Sequence, residues 1–210
     1  MELLEGAGMD AVAWWRRVDG RALEGVVALV LLLVGLFGVV VPVLRVIGPL
    51  PGVDSRTVGL DGAEGVGGAV AGDGVELRGL HEAELVFADP GLWERVLIVL
   101  PGVTGAILFV VILERLLRMV RTFHDGDAFA PENARRLTAI AVAVLLTGTL
   151  VPLVAGLTAG ALVDGTWAEE AARTGYEPSG LWVLVAILLF AVAGAFRHGT
   201  RLRADTEGLV

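Results

Sequence analysis

Three histidines and their carboxylate neighbours are the residues of this chain best suited to metal or acid–base chemistry. His81 stands beside Glu82 and Glu84, His124 beside Asp125 and Asp127, and His198 among Arg197, Arg201 and Arg203. Imidazole and carboxylate together can hold zinc or move a proton. A zinc site needs three or four such groups on one centre, however, and these stand in separate segments. They are expected to be solvated polar residues. No cysteine is present, which excludes thiolate ligands and disulfides. A phosphate-cradling loop ending in Gly-Lys, a G-x-S-x-G elbow and an H-E-x-x-H helix are all missing. No cofactor is expected, and the chain does not read as an enzyme.

These polar residues are set among four apolar blocks, Gly25–Leu44, Val96–Leu113, Leu137–Val163 and Leu181–Phe196, none of which contains Asp, Glu, Arg or His. A hydrocarbon core about 30 Å thick needs about 20 apolar residues in a helix. The first block carries fifteen Leu, Val or Phe residues between Val26 and Leu44. At each residue's transfer value this favours insertion by up to about 4–9 kcal/mol. The fourth block is shortest and would span with help from Trp182 and a snorkelling Arg197. The block nearest the start reads as a retained anchor, since Glu2, Glu5, Asp10 and Asp19 precede it in place of a basic region.

The net charge of −8 conceals a segregation of sign. Every basic residue is arginine, and eleven of the sixteen fall in the lead-in, the second connection and the tail: Arg16, Arg17, Arg21, Arg115, Arg118, Arg121, Arg135, Arg136, Arg197, Arg201 and Arg203. Cytoplasmic flanks retain arginine, so both termini are expected in the cytoplasm. The fold class expected is mainly α, a four-helix transmembrane bundle with a small β-rich extracytoplasmic insertion between helices 1 and 2.

The organisation follows. Residues 1–24 are an interfacial lead-in and 25–45 the first span. Residues 46–94 are the insertion, where Arg56–Leu60, Val75–Leu80 and Ala83–Ala88 read as strands and Asp73-Gly74 as a hairpin turn. Residues 95–120 are the second span, 121–136 a cytoplasmic loop, 137–163 the third span, 164–180 an outer loop, 181–197 the fourth span and 198–210 a cytoplasmic tail. Pro131 suits the first turn of a helix, with Glu132 at its positive end. In the third span Pro152 should kink the helix, with Thr147 and Thr149 bonded to backbone beside it. Gly156 and Gly160 form a GxxxG pair, expected to pack helices within one chain, with homo-oligomer formation as the alternative use.

The segment Asp127-Ala128-Phe129-Ala130-Pro131-Glu132-Asn133-Ala134-Arg135-Arg136-Leu137 resembles the D-P-F-x-x-E-N-x-x-R-L signature of a bacterial membrane family catalogued as domain of unknown function 2975. The tail from Phe196 to Val210 is similar to that family's F-x-x-G-x-x-L ending. Ala128 stands where the family usually has proline. The likeness takes in all four spans and their loop order. It implies a four-span inner-membrane protein with no assigned reaction. Members are often encoded beside a small Cro-like helix-turn-helix protein, which implies a regulatory pair.

The functional expectation is an interaction protein. Asp127, Phe129, Glu132, Asn133, Arg136, Arg197, Arg201 and Leu209 would form one cytoplasmic surface for a small helix-turn-helix regulator, with Asp127 and Glu132 paired to Arg197 and Arg201. Pro152, Gly156 and Gly160 would serve helix packing. The lipid bilayer is the other expected partner. Direct nucleic-acid binding is not expected, because residues 1–24, 114–136 and 197–210 are too short for a DNA-reading fold. The alternative is a small transporter or envelope-maintenance protein, which would need a polar path between spans; uncharged spans predict a dry bundle instead.

Overall fold

A computed structural model describes residues 24–48, 50–59, 69–72, 75–79, 82–124, 130–166, 169 and 175–207. The lead-in before Glu24, the Asp73-Gly74 turn, His81, Asp127, Phe129 and Leu209 lie outside the described residues. Four long apolar helices account for most of the described chain: α1 over Glu24–Ile47, α2 over Leu92–His124, α3 over Pro131–Val163 and α4 over Gly180–Glu207. Between α1 and α2 stand four short strands, β1 Ser55–Gly59, β2 Ala69–Gly72, β3 Val75–Gly79 and β4 Glu82–Phe87.

Each helix boundary has a local cause. In α1, Pro42 has no N–H to give, and the turn before it, Leu36–Val40, is a π-turn in which the Val41 amide reaches back to the Leu36 carbonyl. The helix stops at Gly48, whose φ of 104° is a left-handed cap that glycine adopts without cost and whose amide donates to Leu44 O at 3.1 Å. Helix α3 starts with Pro131 in its first turn and Glu132 beside its positive end. Both α2 and α3 have 33 residues, about 50 Å at 1.5 Å per residue. That exceeds the hydrocarbon thickness, so their ends project from it. Helix α4 runs on to Glu207, so much of what reads as a tail from 198 continues the helix.

The helices pack as antiparallel neighbours in chain order. Val27 of α1 is buried with Leu113 and Leu117 of α2. Ile140 and Val144 of α3 enclose Ala186 of α4, with Ile112 of α2 against them. The α1 stretch leaves large apolar side chains uncovered, among them Leu29, Leu32, Phe37 and Ile47, and α4 does the same with Leu181, Leu184, Ile187 and Leu188. Only 6% of the apolar stretch of α1 is buried within the chain. Lipid is the solvent that such a surface requires.

The sheet is wholly antiparallel, in the order β1-β4-β3-β2. Gly72 pairs with Val75, so β2 and β3 are antiparallel neighbours separated by residues 73 and 74 alone, in keeping with the hairpin expected there. Arg56 pairs with Leu85, and Val58 lies two residues further along β1, so all three share one face. That face rests on the ends of α2 and α3: Val58 and Leu85 form one core with Leu97, Ile98, Ala159, Leu162 and Val163. The sheet thus sits at the start of α2 and the end of α3. The arginine row Arg115, Arg118 and Arg121 is at the opposite end of α2.

Candidate functional site

Two junctions hold the polar chemistry of the described residues, one at each end of the α2–α3 pair. At the sheet end, Arg56 points from β1 into the helices. Its Nη1 donates to Thr158 Oγ1 at 2.7 Å and to Leu97 O at 3.4 Å, and its Nη2 donates to Ala155 O at 3.0 Å. The Leu97 carbonyl is available for a simple reason. Its helix donor would be the amide of residue 101, and Pro101 has none. Thr158 is buried and satisfies its own hydroxyl proton on Val154 O at 2.7 Å, leaving its oxygen to accept from arginine. Burial holds the Arg56 guanidinium below the ordinary arginine value. Among the described residues no carboxylate pairs with it.

At the other end, Arg136 ties the start of α3 to the end of α2. Its Nη1 donates to Asn133 Oδ1 at 2.9 Å, to the Arg118 carbonyl at 3.0 Å, and to Thr122 Oγ1. Asn133 is fully buried, and its backbone N–H donates to Ala130 O at 2.9 Å. Nearby, Glu114 pairs with Arg115 and Arg118, and Glu24 at the start of α1 accepts from Arg121 Nε at 2.6 Å. Arg197 of α4 reaches Thr138 Oγ1 at 3.4 Å.

The expected cytoplasmic surface is therefore distributed differently among its residues. Asn133 and Arg136 act inside the chain, Arg136 as a clasp between α2 and α3 with buried Asn133 as one of its acceptors. Glu132 and Arg201 are exposed. The expected pairing of Glu132 with Arg197 or Arg201 is not formed among the described residues; Arg197 uses a hydroxyl of α3 instead. Asp127, Phe129 and Leu209 lie outside the described residues. Those that are described group no three His, Asp or Glu side chains around a point where a metal could sit.

Two glycines bring helices close together. A Cβ on Gly148 would lie 2.5 Å from Trp182 Cβ, and one on Gly38 would lie 2.7 Å from Ala106 Cβ. Gly148 brings α4 against α3, and Gly38 brings α1 against α2. Gly160 of the GxxxG pair lines an open cleft with Ala161, Asp164 and Glu169 at the α3 end. Pro152 contributes through its missing amide, which frees the Gly148 carbonyl for the Ser179 amide at 3.1 Å. Thr147 and Thr149 bond backbone carbonyls one turn back, as expected.

Neither Arg56 nor Pro101 stands out as functional from the sequence. A signal for each was present. Arg56 shares a strand face with apolar Val58, and a proline within an apolar helix always releases the carbonyl four residues before it.

Four helices long and apolar enough to cross a bilayer, with their apolar surface largely uncovered, are those of a multi-pass integral membrane protein. The family described as "Protein of unknown function (DUF2975)" has a model that matches residues 87–210, and the chain belongs to that family. The match takes in α2, α3 and α4, and so is narrower than the whole-chain likeness expected; α1 and the sheet up to Val86 fall outside it. No curated protein matches the chain, and no solved structure does.

Proposed function

We propose that this chain is a regulatory membrane protein without enzymatic activity, which relays the state of its sheet to a partner at the arginine-rich end. The sheet would be extracytoplasmic, both termini cytoplasmic and the membrane the bacterial inner membrane, on the asymmetry of arginine. The observation that carries the reading is the Arg56 junction. One strand residue is bonded to both α2 and α3, and the same two helices are bonded again at Arg136, at their far ends. A shift of the sheet would thus bear on the only two helices that the clasp joins. The partner we favour is a small helix-turn-helix regulator, held by exposed Glu132 and Arg201 together with Asp127, Phe129 and Leu209.

The test is capture of soluble protein by the tagged chain from gently solubilised membranes, identified by mass spectrometry. A helix-turn-helix protein that co-purifies with the native chain and is lost on combining Glu132→Arg with Arg201→Glu is the expected result. Recovery of no soluble partner overturns the regulatory reading.

A further inference from the structure

An amphipathic cleft of about 380 Å³ lies between the end of α1, strand β1 and the first turns of α2. Phe37, Val99 and Val103 wall its apolar part, and Arg45, Arg56 and Ser55 line it as well. Two cations and a hydroxyl thus meet apolar walls at the level where α1 ends. We infer that this cleft binds an anionic phospholipid, its acyl chains along the apolar walls and its phosphate between Arg45 and Arg56. The inference rests on placement in a bilayer and not on the regulatory reading.

Four observations argue for that occupant. A guanidinium has five N–H groups, and the three bonds that Arg56 makes leave two of them without an acceptor among the described residues. A partly desolvated cation that no carboxylate pairs among the described residues is stabilised by an anion that can accept from its planar fork, and phosphate does so well. Arg45 is exposed in the last turn of α1, lines the same cleft and has no hydrogen bond or ion pair among the described residues. Finally, the sign of charge differs across the sheet junction. The cleft on the α3 side is lined by Asp89, Glu94 and Asp164, and would repel the headgroup that the α1 side attracts.

Gly102 provides the decisive variant. It lines the cleft, and a Cβ placed on it meets nothing within 4 Å. Gly102→Leu would therefore fill the cleft while leaving the bonds of Arg56 to Thr158 and Ala155 in place. The experiment is native mass spectrometry of the detergent-solubilised full chain, titrated with phosphatidylglycerol and, separately, with phosphatidylcholine of the same acyl chains. The native chain should retain phosphatidylglycerol in preference. Arg45→Gln should weaken that retention about fivefold, the worth of one arginine at an anionic headgroup, and Gly102→Leu should abolish the preference. Equal retention of the two lipids by the native chain overturns the proposal. So does a preference that survives Gly102→Leu, since the lipid would then sit elsewhere.

Discussion

The Ser179 amide donates to the Gly148 carbonyl at 3.1 Å, and that carbonyl is the one Pro152 leaves without a helix donor. Leu97 repeats the pattern. Its carbonyl, released by Pro101, accepts from Arg56 at 3.4 Å. In a bilayer core an orphaned carbonyl costs several kcal/mol, so a proline is tolerated where a neighbouring element supplies the donor. Here the two prolines within α2 and α3 each provide an acceptor for a tertiary contact. One receives α4 and the other receives the sheet.

Gly148→Ala should loosen α4. Its new Cβ would stand 2.5 Å from Trp182 Cβ and 3.4 Å from the Ser179 carbonyl, close to main chain that cannot swing aside. Overpacking of this kind costs about 1–3 kcal/mol. Denaturant unfolding in mild detergent should show that loss, whereas Gly102→Ala, facing open space, should not.

Pro152→Ala returns an amide that competes for Gly148 O. The Ser179 amide should then exchange with deuterium faster than in the native chain, while global stability changes little. Hydrogen-exchange mass spectrometry of the peptide spanning Ser179 reads this directly, and unchanged protection would mean that the Ser179 bond does not depend on the proline.

Thr158→Val keeps shape but removes the oxygen that accepts from Arg56 at 2.7 Å. A hydrogen bond to a charged group is worth about 1.5–3 kcal/mol, and the other two bonds of Arg56 limit the loss to the lower end. Arg56→Gln should cost more. In both variants β1 should lose exchange protection before the helices do. A double-mutant cycle between the two residues should give a coupling of about 1 kcal/mol or more.

At the opposite end, stability and partner capture should separate. Arg136→Gln loses the charged donor whose Nη1 reaches Asn133, Thr122 and the Arg118 carbonyl, and should lower stability by about 1–3 kcal/mol. Glu132→Gln and Arg201→Gln touch exposed side chains and should stay within about 0.5 kcal/mol of the native chain. If either of these surface variants unfolds the protein, the assignment of Arg136 as clasp and Glu132 as surface is wrong.

Orientation can be read without background labelling, because the chain has no cysteine. Tyr176→Cys, exposed ahead of α4, should react with an impermeant maleimide in intact spheroplasts. Arg201→Cys should react only after lysis. The reverse pattern would invert the topology.

Much of this architecture is local in origin and therefore legible in the residues. A long uncharged apolar run decides its own partition into lipid, whatever lies beside it, so the four helices could be placed from the chain alone. Alternation around Asp73-Gly74 and the position of Pro131 are local in the same sense, and strand and helix begin where they indicate. The lie of the arginines along the chain likewise places the sheet and the Arg115–Arg118–Arg121 row at opposite ends of the helices. Helix ends were less legible: α4 continues to Glu207, past the span expected to end at residue 197, because helix hydrogen bonding runs on through charged residues such as Arg201. What tertiary structure alone decided is which groups separated in sequence complete each other. Arg56 meets Thr158 across 102 positions and Leu97 across 41. Gly148 accepts Trp182 against its face, and Gly38 accepts Ala106. Arg136 reaches Arg118 and Thr122 on the helix opposite, and Asn133 is buried beside it. No periodicity encodes those meetings. They depend on how one helix is rotated against the next, and that is settled only when all the helices and the sheet are packed together.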